Sequence, residues 1–121
     1  MSDPFFDTNI LVDWLLDLPP AIAELRSYPR HRISRIVWTE LLAGEPPSSR
    51  DLVRDLLVAF DLVEVDQRIA LAAAEIRFQR RIKLMDALIL ATAQVNGAML
   101  VTRNTRDFPA SMPGIRVPYT L

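Results

Sequence analysis

The stretch Ala98-Met99-Leu100-Val101-Thr102 restricts the fold more than any other part of this sequence. Gly97 closes a helix-like segment just before it, and the polar run Arg103-Asn104-Thr105-Arg106-Asp107 follows at once. A short, continuous apolar run between such boundaries is the mark of a strand buried on both faces, as in parallel sheets covered by helices on either side. Similar short runs recur along the chain. Pro4-Phe5-Phe6 leads into Asp7, Arg32-Ile33-Ser34 precedes a helical pattern, Leu62-Val63 with Val65 follows another, and Ile115-Arg116-Val117 is a plausible last strand.

Helical spacing fills the intervals. Ile10-Leu11-Val12 and Trp14-Leu15-Leu16 form a first helix that Pro19-Pro20 is expected to end, and Ala21 to Tyr28 a second, closed by Pro29. Ser34 is placed to cap a helix from Arg35 to Ala43 that stops at Gly44, and Glu45 to Ser49 reads as a loop. Leu52, Val53, Leu56, Leu57 and Phe60 mark a helix over Arg50 to Phe60. Another runs over Gln67 to Arg81, with Ala70, Ala73, Ala74 and Ile76 as its close-packing face, and a third over Met85 to Asn96. Strands alternating with helices, with few hairpin signals, predict a three-layer α/β/α sandwich around a mainly parallel sheet.

With 121 residues, half of them hydrophobic, the chain can bury one core, and a single domain over 1–121 is expected. Its apolar runs are too short to span a bilayer and Met1-Ser2-Asp3-Pro4 does not look like a secretion signal, so a soluble, cytoplasmic protein with no membrane partner is expected. There is no cysteine and only His31, which removes thiol chemistry, cysteine-based zinc sites and any two-histidine metal site. Catalysis would have to rest on carboxylates, hydroxyls, amides or basic side chains. The net charge of −1 leaves the partner undecided, because a phosphate-binding surface needs only local positive charge.

Asp17, Glu24, Asp51, Asp55 and Glu64 fall on expected polar faces or loops. Other acids do not. Asp7 ends the first strand, at the edge where open α/β sheets bind ligands, although it is equally placed to cap the next helix with Thr8 and Asn9. Glu40 follows Ile36 and Val37 at helical spacing and adjoins Leu41, which predicts a carboxylate on a buried stripe, costly unless paired or metal-bound. Asp86 opens the nearly all-apolar segment Ala87 to Ala91, where capping and function compete. Thr102, Asn104 and Asp107 follow the strongest strand, at the same edge as Asp7 if the strands are parallel.

Oxygen ligands of this kind suit Mg²⁺ or Mn²⁺, which are often held by one or two carboxylates and retained waters. Asp7 and Asp86 are the candidates for direct ligation, with Glu40 and the Asn104/Asp107 pair acting through water or completing a second position. Such clusters hydrolyse phosphodiesters. Arg77, Arg80, Arg81 and Lys83 precede Asp86, and Arg103 and Arg106 bracket Asn104; the bracketing arginines are the preferred RNA-phosphate contacts.

Taken in order, Phe6-Asp7-Thr8-Asn9-Ile10-Leu11, Ser34 to Gly44 with Glu40, Asp86-Ala87-Leu88-Ile89-Leu90-Ala91-Thr92-Ala93 and Val101-Thr102-Arg103-Asn104-Thr105-Arg106-Asp107-Phe108 resemble the motifs of PIN-domain nucleases, and most closely the VapC-type toxins. The resemblance spans nearly the whole chain. It implies a Mg²⁺- or Mn²⁺-dependent endoribonuclease, usually a homodimer, that acts on RNA and is held inactive by a cognate antitoxin. By it Asp7 and Asp86 bind metal, Glu40 belongs to the acidic cluster, and Thr102 orders the strand-end loop, with Asn9, Arg103, Asn104 and Arg106 in substrate-contacting or loop-ordering roles. Where some relatives carry an acid in the last block this chain has Asn104, with Asp107 three residues on, and either residue can complete the site. Trp14, Leu15, Trp38 and Leu42 are candidates for an apolar antitoxin groove or for ordinary core. Two other readings compete: a catalytically inactive RNA-binding or regulatory protein of the same fold, and a haloacid-dehalogenase-like phosphatase, which would need an aspartate where Asn9 stands.

Overall fold

A computed structural model describes residues 3–121. Its strands are β1 (Phe5–Phe6), β2 (Arg32–Ser34), β3 (Asp61–Val63), β4 (Leu100–Val101) and β5 (Ile115–Arg116), and its helices α1 (Thr8–Leu15), α2 (Pro19–Arg26), α3 (Arg35–Ala43), α4 (Pro47–Leu57), α5 (Gln67–Arg80) and α6 (Leu84–Val95). All strand pairs are parallel, in the order β3-β2-β1-β4-β5. The α/β sandwich expected from the alternating pattern is what forms.

The strand order decides where a site can be. From β1 the chain steps outward to β2 and β3, then crosses back to add β4 and β5 on the other side of β1. Parallel crossovers are right-handed, so reversing the direction of travel moves the connecting helices to the other face of the sheet. A crevice then opens between the C-terminal ends of the two strands where the reversal occurs, here β1 and β4. The register Phe6↔Val101 sets Asp7 beside Thr102 at that crevice.

Phe5, Phe6, Ile33, Leu100 and Val101 are at most 1% exposed, which explains runs with no polar alternation: strands covered on both sides have no wet face. Three local expectations are corrected. Pro19 and Pro20 begin α2 instead of ending α1, and Pro47 begins α4, because the first turn of a helix leaves its N–H groups unbonded and a proline there loses nothing. In α5 the inward face is Ile69, Ala73 and Ile76, spaced four and three residues apart, while Ala70 and Ala74 are exposed. Glu24 is not on a polar face: it is 7% exposed, with its carboxylate held by Arg116 Nε at 2.7 Å and Nη2 at 2.9 Å, and by the Tyr28 hydroxyl at 3.1 Å. The spacing that put Glu24 outside ignored a partner 92 residues away. Among the described residues no helix is long and apolar enough to cross a membrane.

Candidate active site

Asp7 leaves β1 in extended conformation and is the N-cap of α1, with Oδ1 accepting the Thr8 N–H at 2.8 Å. Capping and site placement therefore coexist in one carboxylate, because its two oxygens divide the work. Oδ2 faces β4, accepting the Thr102 hydroxyl at 2.7 Å and the Asn9 amide at 3.3 Å. Asp7 is 3% exposed. Burial pushes its carboxyl above the ordinary value, the hydrogen bonds from Thr102, Thr8 and Asn9 oppose that rise, and the nearby Glu40 adds to it.

Glu40 departs from the sequence expectation. It is exposed, not part of a buried stripe; the inward side of α3 is Val37, Leu41 and Leu42, one step around the helix. The carboxylate instead lies at the open flank of the site, where Thr8 Oγ1 donates to its Oε1 at 2.6 Å. Helix α3 also touches α6, which brings Glu40 toward Asp86.

Asp86 stands in the first turn of α6, three residues after Lys83, the N-cap, which makes no side-chain capping bond. No backbone N–H bonds to the Asp86 carboxylate among the described residues, so capping does not account for it. A helix N-terminus should favour its ionised form, yet its pKa is pushed up to about 6. Burial is the main cause, followed by the charges of Asp7, Asp107 and Glu40. Three acids from separate parts of the chain, Asp7, Glu40 and Asp107, thus converge on Asp86.

Asn104 and Asp107 are bonded to each other. Asn104 Nδ2 donates to Asp107 Oδ2 at 3.1 Å, and the Asp107 N–H donates to Asn104 Oδ1 at 3.3 Å, so the amide orients the acid. Asn104's own N–H donates to Thr102 Oγ1 at 3.0 Å. A cleft of about 500 Å³ runs over Glu40, Asp86, Asn104 and Asp107, with Lys83 and Arg106 among its lining residues. Arg77, Arg80 and Arg81 are exposed further along. Arg103 is engaged elsewhere: its guanidinium donates to both oxygens of Asp13, at 2.6 and 2.9 Å, and its N–H donates to Asn9 Oδ1 at 3.2 Å. His31 packs between Phe6 and Phe60, away from these acids.

Sequence reasoning missed Thr8 as the donor to Glu40 and missed Asp13 altogether. Asp13 carried a signal that went unused, since it is one turn beyond Asn9 on the same helix face. Among the described residues no three acidic or histidine side chains stand close enough to form a ready-made metal cage. The site instead offers an elevated pair, Asp7 and Asp86, with flanking carboxylates. A hard divalent cation that keeps several waters needs no more than one or two direct carboxylates.

A family model described as PIN domain matches residues 5–110. No curated protein is matched by the sequence. Among solved structures, a chain of a toxin-antitoxin complex from Klebsiella pneumoniae is 37% identical with a TM-score of 0.91, over 98% of this chain and 100% of that one. FitAcB from Neisseria gonorrhoeae is 24% identical with a TM-score of 0.80, over 97% and 99%. VapBC2 from Rickettsia felis, bound to a DNA fragment from their promoter, is 21% identical with a TM-score of 0.79, over 94% and 96%. The last two are likenesses of fold.

Proposed function

This chain belongs to the PIN-domain family, and on that premise we propose that it is a metal-dependent endoribonuclease, the toxin of a toxin-antitoxin pair acting in the cytoplasm. One observation carries the chemistry: Glu40, Asp86 and Asp107 line a single cleft, where burial and the charges of Asp7, Asp107 and Glu40 raise the Asp86 carboxyl. Carboxylates that oppose one another's ionisation in a cleft form a site built for a positive charge. In this proposal Asp7 and Asp86 ligate Mg²⁺ or Mn²⁺, while Glu40 and Asp107 complete the catalytic acids.

A bound divalent ion would supply Lewis-acid polarisation of a phosphate oxygen and a more acidic water. The protein's own groups do the rest. Thr102 and Asn9 fix Asp7 Oδ2, and Thr8 holds Glu40 at the open flank, where its carboxylate can accept a proton from water. Asn104 aims Asp107 at Asp86, and Lys83 and Arg106 line the cleft where RNA phosphates would pass.

The partner proposal rests on the relative from Klebsiella pneumoniae, whose structure is a toxin-antitoxin complex. In this proposal the antitoxin segment lies along α1, where Leu15 is half-buried beside Val12, 40% exposed, and Leu16, 66% exposed. Of the residues expected to line such a groove, Leu42 is buried in the core at 8% exposure, and Trp38 is covered by the Arg35 guanidinium, 4.5 Å from its ring. Pairing of two copies of the chain stays part of the proposal.

The test is cleavage of RNA by antitoxin-free protein in Mg²⁺ or Mn²⁺. Asp7→Asn and Asp86→Asn should each lower the rate by about 100-fold or more, since each removes a proposed ligand. Wild-type protein that cuts no RNA in either metal, or variants that cut equally well, would refute the assignment. Metal binding without cleavage would point to an RNA-binding or regulatory role.

A further inference from the structure

We infer that Asp13, a residue of α1 outside the acidic cluster, is a positioning residue that holds the β4 strand-end loop in register with Asp7. Asp13 is 2% exposed and both its oxygens are occupied: Oδ2 accepts Arg103 Nε at 2.6 Å and the Tyr119 hydroxyl at 2.8 Å, and Oδ1 accepts Arg103 Nη2 at 2.9 Å. A bidentate arginine fork fixes orientation as well as distance. Its consequence lies in which arginine is held.

Arg103 directly follows Thr102, whose hydroxyl donates to Asp7, and directly precedes Asn104, whose amide orients Asp107. Its backbone N–H donates to Asn9 Oδ1, and the Asn9 amide donates to Asp7 Oδ2 and, at 3.4 Å, to Thr102 Oγ1. Asn9 and Asp13 are four residues apart and share a face of α1. One helix therefore grips one residue twice, at its backbone through Asn9 and at its guanidinium through Asp13. Two attachment points stop a loop from rotating as well as from moving away. Tyr119 adds a third anchor from beyond β5, so the segment after Arg116 is tied to the same junction.

The molecule contains its own control. Glu24 and Arg116 form a chemically matching clamp, a buried carboxylate with a bidentate arginine and a tyrosine hydroxyl; its side-chain bonds reach none of Asp7, Thr102, Asn104 or Asp107, and its link to Thr102 is the sheet ladder alone, where the Arg116 carbonyl accepts the Thr102 N–H at 3.0 Å. A merely structural ion pair should behave like Glu24. A positioning one should not.

The inference rests on the nuclease assignment for its kinetic consequence, so the experiment includes readouts that need no RNA. Asp13→Asn, Tyr119→Phe and the control Glu24→Gln would be compared at equal distances below their melting temperatures. Mn²⁺ affinity would be read by calorimetry, amide exchange at Asn104 and Asp107 by NMR, and RNA cleavage as separate kcat and KM. For Asp13→Asn we expect Mn²⁺ affinity to fall by about 10- to 100-fold, the range for residues that orient metal ligands. The Asn104 and Asp107 amides should exchange faster, and kcat should fall with KM little changed. Tyr119→Phe should move all three readouts the same way by less, and Glu24→Gln should move them far less than Asp13→Asn does. Arg103→Lys should recover part of what Arg103→Met loses. If Asp13→Asn does not fold, Tyr119→Phe decides on the same readouts. Equal effects of the Asp13 and Glu24 variants on exchange and Mn²⁺ affinity would overturn the inference, whether or not RNA is cut. Failure of the wild-type protein to cut RNA would count against the nuclease assignment alone.

Discussion

At the scale of single residues, two carboxylates, Asp7 and Asp86, are raised and others are lowered, and the signs have different consequences. Asp86, at about 6, takes up a proton in the folded state that the unfolded chain would have lost near pH 4. Its ionisation therefore opposes folding, and the penalty grows as pH rises from the unfolded value through the folded one. Metal-free Asp86→Asn should accordingly be more stable than wild type at pH 7.5, by on the order of 1 kcal/mol once solvent screening discounts the shift. The advantage should shrink toward nothing below pH 4. Melting curves in the presence of a chelator measure it, and an advantage independent of pH would show that the cost of ionising buried Asp86 is not its source. Glu40 illustrates a different point: local spacing identified the acid, but its exposure depended on which flank of α3 the sheet leaves open.

Among the secondary-structure elements, helix starts do most of the positioning. Asp7 caps α1, Ser34 caps α3 by accepting the Val37 N–H at 3.1 Å, and Asp66 caps α5 by accepting that of Ile69 at 2.9 Å. Ser34 is 1% exposed and lies directly between β2 and the helix that carries Glu40. Ser34→Ala should cost about 1 kcal/mol in chemical denaturation, the usual worth of such a cap, with an extra contribution because the Val37 N–H is left buried without its partner. A loss near zero would mean that α3 is held by packing alone. These starts were largely readable, since serine or aspartate before an apolar periodic segment is a local signal. The starts at Pro19 and Pro47 were not, because a proline reads equally as the end of one helix or the first turn of the next until the path of the chain is known.

For the whole molecule, two buried carboxylates clamped by arginines join distant parts of the chain, Asp13 to Arg103 and Tyr119, and Glu24 to Arg116. The hydrogen bonds from Arg103 hold the Asp13 carboxyl below its ordinary value, and those from Arg116 do the same for Glu24. A lowered folded-state pKa gives stability that is fully present above the unfolded value near 4 and is lost as pH falls through the folded one. The protein should therefore hold its structure down to about pH 4 and lose stability steeply below it. Glu24→Gln should flatten that acid limb, and at neutral pH it should cost on the order of 1 to 2 kcal/mol, toward the low end for a broken pair because Arg116 remains 43% exposed. Acid titration followed by circular dichroism checks both; an unchanged acid midpoint in the variant would remove Glu24 from the account.

Asp7 shows how the determinants divide. Its place at a strand end, the unalternating apolar runs that demand a parallel sheet, and the acids Glu40, Asp86 and Asp107 follow from sequence alone, because burial pattern and local spacing are properties of short segments. Which oxygen of Asp7 serves the helix cap and which the site followed only from the β1–β4 register, which sets Thr102 beside it. The same holds for Asp13, whose arginine lies 90 residues away. Partnerships across such distances are decided by the order in which the strands assemble, and no local pattern encodes that order.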